Sequence, residues 1–145
     1  MRGLIQRVSS ASVTIDGQCH ASIGRGILLL LGIEAVDGIE QSEKLIGKVL
    51  NYRIFADAQG RMNLSLKDIG GELLVVSQFT LVAETGKGLR PGFSKAAAPE
   101  LAESCYEDFL QRLKAQYSKV SSGVFAADMQ VSLCNDGPVT FLLET

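Results

Sequence analysis

Tryptophan is absent from the 145-residue chain, and histidine occurs once, as His20. A Ser–His–Asp relay needs a histidine to take the proton, and His20 follows a hairpin signal in a place that is usually solvated. Cysteine is scarce and widely spaced. Cys19, Cys105 and Cys134 form no C-x-x-C pair, so neither a zinc site nor a disulfide framework is indicated. Three reduced, mostly buried thiols in a reducing cytosol are expected. There is no G-x-S-x-G elbow, and Gly86-Lys87-Gly88 lacks the spacing of a phosphate-binding P-loop. Long apolar runs are missing too. The longest, Ile27 to Leu31, falls far short of the ~20 residues of a membrane span. The first residues lack the apolar core of a signal peptide. Neither sign of charge dominates, with 14 basic and 16 acidic residues. Indiscriminate nucleic-acid binding is therefore excluded, and any such contact must use a local patch or a shaped pocket.

What is present describes one domain, residues 1–145, large enough to bury its own core. Leu4 to Val8 reads as a short strand. Ser12 to Ile15 is a second, and Asp16-Gly17 turns it back through Gln18 to Ile23. Ile27 to Leu31 reads as a central strand buried on both faces. Asp37 with Glu40 announces a helix whose apolar face carries Ile39, Ile46, Val49 and Leu50 and which ends near Asn51. Glu72 to Gln78 is the strongest strand pattern. A polar, Gly-rich loop over 84–92 follows it. Pro99 opens a second helix, with Leu101, Ala102, Cys105, Phe109 and Leu113 as its stripe. Period-two alternation returns near Val124, Asn135 to Pro138 reads as a turn, and Val139 to Leu143 closes the chain. The expectation is an α+β domain with a curved, mostly antiparallel sheet or partial β-barrel covered by two helices.

Two segments depart from ordinary patterns. Ser77-Gln78-Phe79-Thr80 ends the strongest strand on a polar–aromatic–polar group instead of turn residues. Strand alternation would put Ser77 and Phe79 on one face, with Phe79 in the core, and Gln78 and Thr80 on the other. Gly137-Pro138 lies between two strands. A trans turn is the default for such a pair, but the glycine leaves the backbone carbonyls uncovered.

Together, Ser77-Gln78-Phe79-Thr80-Leu81 and Asn135-Asp136-Gly137-Pro138-Val139-Thr140 resemble the two signature motifs of the D-aminoacyl-tRNA deacylases, the D-tyrosyl-tRNA(Tyr) deacylase family. The opening Leu4-Ile5-Gln6-Arg7-Val8 with Ala11-Ser12-Val13 resembles that family as well. So do Tyr52-Arg53-Ile54-Phe55, Met62-Asn63-Leu64, Arg90-Pro91 with Phe93-Ser94-Lys95, and Phe125 to Met129. The likeness spans the whole chain. Gly92 stands where the family pattern has serine, a difference that bears on loop stiffness.

The resemblance implies a cytoplasmic homodimer, not bound to a membrane and using no metal or cofactor. It would hydrolyse the ester joining a D-amino acid to tRNA and remove glycine misattached to tRNA(Ala). It implies a cis Gly137–Pro138 peptide, inserted into the partner subunit's pocket with its carbonyls towards the substrate α-carbon. L-residues are then rejected by collision. Arg7 corresponds to an arginine that holds this loop; read by itself it is a surface charge beside a strand. Ser77, Gln78, Phe79 and Thr80 form the implied catalytic segment. Thr80 is the evident candidate for a nucleophile, yet it has no base nearby in sequence. The simpler scheme lets the terminal adenosine 2′-hydroxyl direct a water while the Phe79 and Thr80 N–H groups hold the oxyanion. Gln78 then orients the adenosine. Met129 serves either the adenine pocket or the core. Lys87, Arg90 and Lys95 are candidates for acceptor-stem phosphates, against a merely solvated loop. Two competing readings are a tRNA-binding protein without catalysis on the same fold, and a hydrolase of small D-aminoacyl esters.

Overall fold

The computed structural model describes residues 1–145. In chain order it contains β1 (Arg2–Ile15), β2 (Gln18–Ile23), β3 (Gly26–Gly32), α1 (Ile39–Asn51), β4 (Phe55–Ala56), β5 (Met62–Leu64) and α2 (Leu66–Ile69). There follow β6 (Glu72–Ser77), a 3-10 turn (Phe79–Val82), α3 (Pro99–Gln116), β7 (Val120–Ser122) and β8 (Gln130–Glu144).

The spine of the sheet is β1. The two strands read at its ends are one 14-residue strand. Its first half pairs with β3, its second half with β2, and nearly its whole length with β8, all antiparallel. Asp16 and Gly17 both take positive φ at the tight turn into β2, the geometry that makes Asp-Gly a hairpin signal. On the far side β3 pairs parallel with β6, and β6 with β7. Parallel neighbours need crossovers. One carries α1 and α2, the other α3.

The helices cover one face of the sheet. Leu45, Ile46, Val49 and Leu50 of α1 and Phe109 and Leu113 of α3 meet Ile5, Ile27, Leu29, Leu73 and Val75 in the larger core. The sheet curls until β2 comes against β6 and β7. Its concave side encloses a smaller core of Val8, Val13, Ile23, Leu28, Leu74 and Val76. Strands β3 and β6 are therefore buried on both faces, which is why they read as unbroken apolar runs.

Several expectations are corrected. There are three α-helices rather than two. The one missed, α2, has four residues, too few for a periodic pattern, and is held by a Ser65–Asp68 capping box. Gly38 with Gln41, not Asp37 with Glu40, caps α1. The Asp37 carboxylate is buried against the Met1 amine and accepts from Glu34 N at 2.7 Å. Ile39 and Leu101 are exposed rather than packed, while Tyr106 is the buried side chain that the α3 stripe omitted. Cys19 and Cys134 are exposed and Cys105 is half-buried, so the thiols are not mostly buried. After β7 the chain turns through 124–127 before β8 begins. No helix is long and apolar enough to cross a membrane.

Candidate functional site

At the end of β6 the chain stops being a strand. Gln78 N still donates to Leu31 O at 2.7 Å, but Phe79–Val82 then tightens into a 3-10 turn. Side chains there no longer alternate, and Phe79, expected in the core, is exposed. The N–H groups of Phe79 and Thr80 precede the turn's first donor, Leu81 N, which reaches Gln78 O at 3.2 Å. Leading N–H groups of this kind have no partner within the helix. Gln78 Nε2 donates to Thr80 Oγ1 at 2.6 Å. No carboxylate or imidazole touches that hydroxyl.

A cleft of about 550 Å³ opens beside this turn. Ser77, Gln78, Phe79 and Met129 line it, together with Phe125 from the turn after β7 and Pro99 at the start of α3. Thr80 lies just beyond its rim. Asp128 is its one ionisable lining residue. Met129 belongs to both the core and the cleft. Its side chain packs on the smaller core and also faces the cleft, over Gly123, where a Cβ would come within 2.6 Å of the sulfur. Tyr106 braces the wall from beneath. Its hydroxyl donates to Val75 O at 3.1 Å, and its ring lies 5.8 Å from that of Phe125. Burial pushes its phenol well above the ordinary range, so it remains a neutral donor.

The Gly137–Pro138 segment lies outside this cleft and is not a turn between two strands. Strand β8 runs straight through it. Gln6 pairs with Thr140 and Val8 with Asn135, so Asp136 to Val139 bulge out opposite the single residue Arg7. The Asn135 side chain closes the bulge like a piece of backbone. Its Oδ1 accepts from Val139 N at 2.6 Å, and its Nδ2 donates to Thr140 Oγ1 at 2.9 Å. The Gly137–Pro138 peptide is cis, and Gly137 has φ +149°. A Cβ there would meet Val139 Cγ2 at 2.6 Å and Val139 N at 2.9 Å, so only glycine fits.

Arg7 is more than a surface charge. Its Nε donates to Asp136 O at 2.8 Å and its Nη1 to Ile54 O at 2.6 Å, tying the bulge to the segment before β4. Between Val131, which lines the cleft, and Asn135, β8 is extended along β1 and carries the bulge roughly 13 Å away. The chain thus brings Ser77, Gln78, Phe79 and Met129 together. It leaves Gly137 and Pro138 apart from them, exposed on the edge strand β8, which pairs only with β1, while the half-buried Arg7 lies opposite them on β1.

The charged loop is a hairpin-like projection. Glu84 N donates to Gly92 O at 2.7 Å and Gly92 N to Glu84 O at 3.0 Å, pinching its neck. Lys87 and Arg90 are exposed on its tip without ion pairs, whereas Lys95 lies 3.7 Å from Glu84. These three basic residues share a cavity of about 510 Å³ with Arg2, which no sequence motif marks. Phe93 is a further residue that sequence pattern leaves without a role. Its ring packs on that of Phe79 at 5.1 Å. Only its place beside Arg90-Pro91 could have flagged it. No group of three or more His, Cys, Asp or Glu side chains converges anywhere in the fold.

The family model for D-Tyr-tRNA(Tyr) deacylase matches residues 4–144. A protein of Pseudomonas putida named D-aminoacyl-tRNA deacylase is 56% identical over 144 residues, covering 99% of both chains. One of the same name from Pseudoalteromonas translucida is 59% identical over 143 residues, again covering 99% of each. Among solved structures, one titled c-Myc DNA Unwinding Element Binding Protein superposes with TM-score 0.96 at 43% identity, over 100% of this chain and 99% of its own. A probable eukaryotic D-amino acid tRNA deacylase shares the fold, with TM-score 0.86 at 16% identity, over 99% of this chain and 98% of its own.

Proposed function

Because this chain belongs to the D-Tyr-tRNA(Tyr) deacylase family, we propose that it hydrolyses D-aminoacyl-tRNA to free tRNA and D-amino acid. The same site also clears glycine misattached to tRNA(Ala) and spares L-aminoacyl-tRNA. The protein works in the cytoplasm as a single domain over residues 1–145 and as a homodimer.

The observation that carries the mechanism is the partner of Thr80. Its hydroxyl accepts from the Gln78 amide, and an amide cannot take a proton from a nucleophile. The attacking group is then a water, directed by the 2′-hydroxyl of the terminal adenosine beside the ester. As the ester carbonyl becomes tetrahedral, the free N–H groups of Phe79 and Thr80 stabilise its oxygen, at about 3 kcal/mol for each donor. The C–O bond to the ribose breaks, and the 3′-oxygen leaves with a proton. Gln78 orients the adenosine, and Met129 and Phe125 supply apolar walls for adenine.

Discrimination comes from the bulge of the other subunit. The carbonyls of Gly137 and Pro138 face the substrate α-carbon, where glycine or a D-residue presents hydrogen. An L-residue would drive its side chain into them, and rejection by collision can exceed what a pocket gains by attraction. Exposure of the bulge outside its own chain's cleft supports this arrangement in trans. The Lys87–Arg90 loop, with Lys95, follows the acceptor-stem phosphates.

The test is hydrolysis of D-tyrosyl-tRNA beside L-tyrosyl-tRNA by purified protein, with and without chelator. Loss of the D-ester alone is expected, unchanged by chelator. Loss of both esters would refute the rejection scheme. Survival of both, with a tRNA gel shift, would make the chain a binding protein.

A further inference from the structure

Two aromatic rings stand in solvent between the cleft and the basic cavity. Phe79 is 61% exposed and Phe93 39% exposed, and their centroids are 5.1 Å apart. Phe79 lines the cleft, as do Ala96 and Ala97. Gly92 and Lys95, on either side of Phe93 in the chain, line the cavity that holds Lys87 and Arg90. Phe93 therefore sits on the ridge between the apolar cleft and the cationic cavity. Water gains nothing from an open aromatic pair, and neither ring completes either core. Every nucleobase has a π-face, and base–aromatic stacking is the usual use of such a ring beside a cationic groove.

We propose that Phe93, braced by Phe79, stacks the base of the nucleotide that precedes the terminal adenosine, steering the strand from the cleft to the basic loop. This rests on the deacylase reading of the cleft and adds a second nucleotide subsite to it. The chain's path decides the occupant. A strand with its last nucleoside in the cleft and its next phosphates near Lys87 and Arg90 must pass over this ridge. Because a stacking platform reads no base edge, the subsite tolerates any base.

The test compares two substrates, the D-tyrosyl ester of adenosine and that of the trinucleotide CCA. The wild type should gain at least tenfold in kcat/KM on the longer one. Phe93→Ala and Phe93→Leu should lose most of that gain, and Phe93→Tyr should keep it. A second readout needs no hydrolysis. A CCA oligonucleotide carrying a fluorescent cytosine analogue at its middle position should be quenched by wild type and by Phe93→Tyr, but not by Phe93→Leu. Equal losses on both esters in Phe93→Leu would overturn the proposal, since Phe93 would then only prop Phe79. A wild type that shows no gain and no quench would overturn it too. If neither ester is cleaved at all, the deacylase reading fails separately, and the quench alone decides the subsite.

Discussion

Thr80 carries a hydroxyl just beyond the rim of a cleft whose one ionisable lining residue is Asp128. A hydroxyl bound only to an amide has no route for its proton. Thr80→Ala should therefore keep most of the activity, and Asp128→Asn likewise. Replacing the terminal adenosine of D-tyrosyl-tRNA by 2′-deoxyadenosine should abolish cleavage. Single-turnover ester loss measures all three. A dead Thr80→Ala with a fully active deoxy substrate would restore Thr80 as the nucleophile.

Gly137 makes a different residue-scale prediction. An added Cβ meets Val139 backbone and side chain and comes within 3.2 Å of an Arg7 guanidinium nitrogen. Gly137→Ala should displace the bulge, lower stability by about 1–3 kcal/mol, and raise cleavage of the L-ester relative to the D-ester. Thermal unfolding and the D/L rate ratio check the two effects together.

Among the elements, α2 shows how a structure too short for periodicity is held. Ser65 Oγ accepts from Asp68 N, and the Asp68 carboxylate accepts from Ser65 N at 2.8 Å and Ser65 Oγ at 2.7 Å. Ser65→Ala should cost about 1 kcal/mol, or roughly 3 °C in Tm. The Ser65 N–H, and then its hydroxyl, hold the Asp68 carboxyl below the ordinary carboxylate range. A depressed acid contributes stability above its unfolded value, near ~4, and loses it as pH falls through the folded value. Asp68→Asn should therefore be less stable than wild type at pH 7 and converge with it in acid, which urea titrations at several pH values would show.

The loop over 84–92 makes the complementary electrostatic prediction. Lys87 and Arg90 have no acidic partner, so their charge is free for phosphate. Removing both should weaken tRNA binding and reduce the slope of log K against log salt by about 1.4–1.8. An unchanged slope would leave the loop merely solvated.

For the whole molecule, the separation of bulge and cleft is the main fact. Strand β8 offers an unpaired edge, and the bulge on it does not line its own chain's cleft. The protein should therefore sediment at twice the chain mass. Mixed dimers of Gly137→Ala with a cleft variant such as Phe79→Ala should recover one fully discriminating site, because the intact bulge meets the intact cleft across the interface. Failure of the mixture to regain D/L discrimination would place the bulge in its own chain's site.

The amino-acid order determined everything that local chemistry controls. The Asp16-Gly17 hairpin, the doubly buried β3 and β6 and the Pro99 helix start follow from turn propensity, apolar runs and capping. The two motifs identified the family by residue identity alone. Tertiary structure decided what depends on partners distant in sequence. Asn135 to Pro138 reads as a turn in sequence because Gly-Pro punctuates chains. Pairing along β1 instead keeps β8 continuous and squeezes the extra residues into a bulge opposite Arg7. Strand alternation continued past Ser77 predicts Phe79 in the core. The 3-10 turn rotates it into solvent, beside a Phe93 ring whose position nothing local specified. Which ends of which elements meet is set by ladder register and sheet curvature, sums over many long-range contacts that no short stretch of sequence encodes.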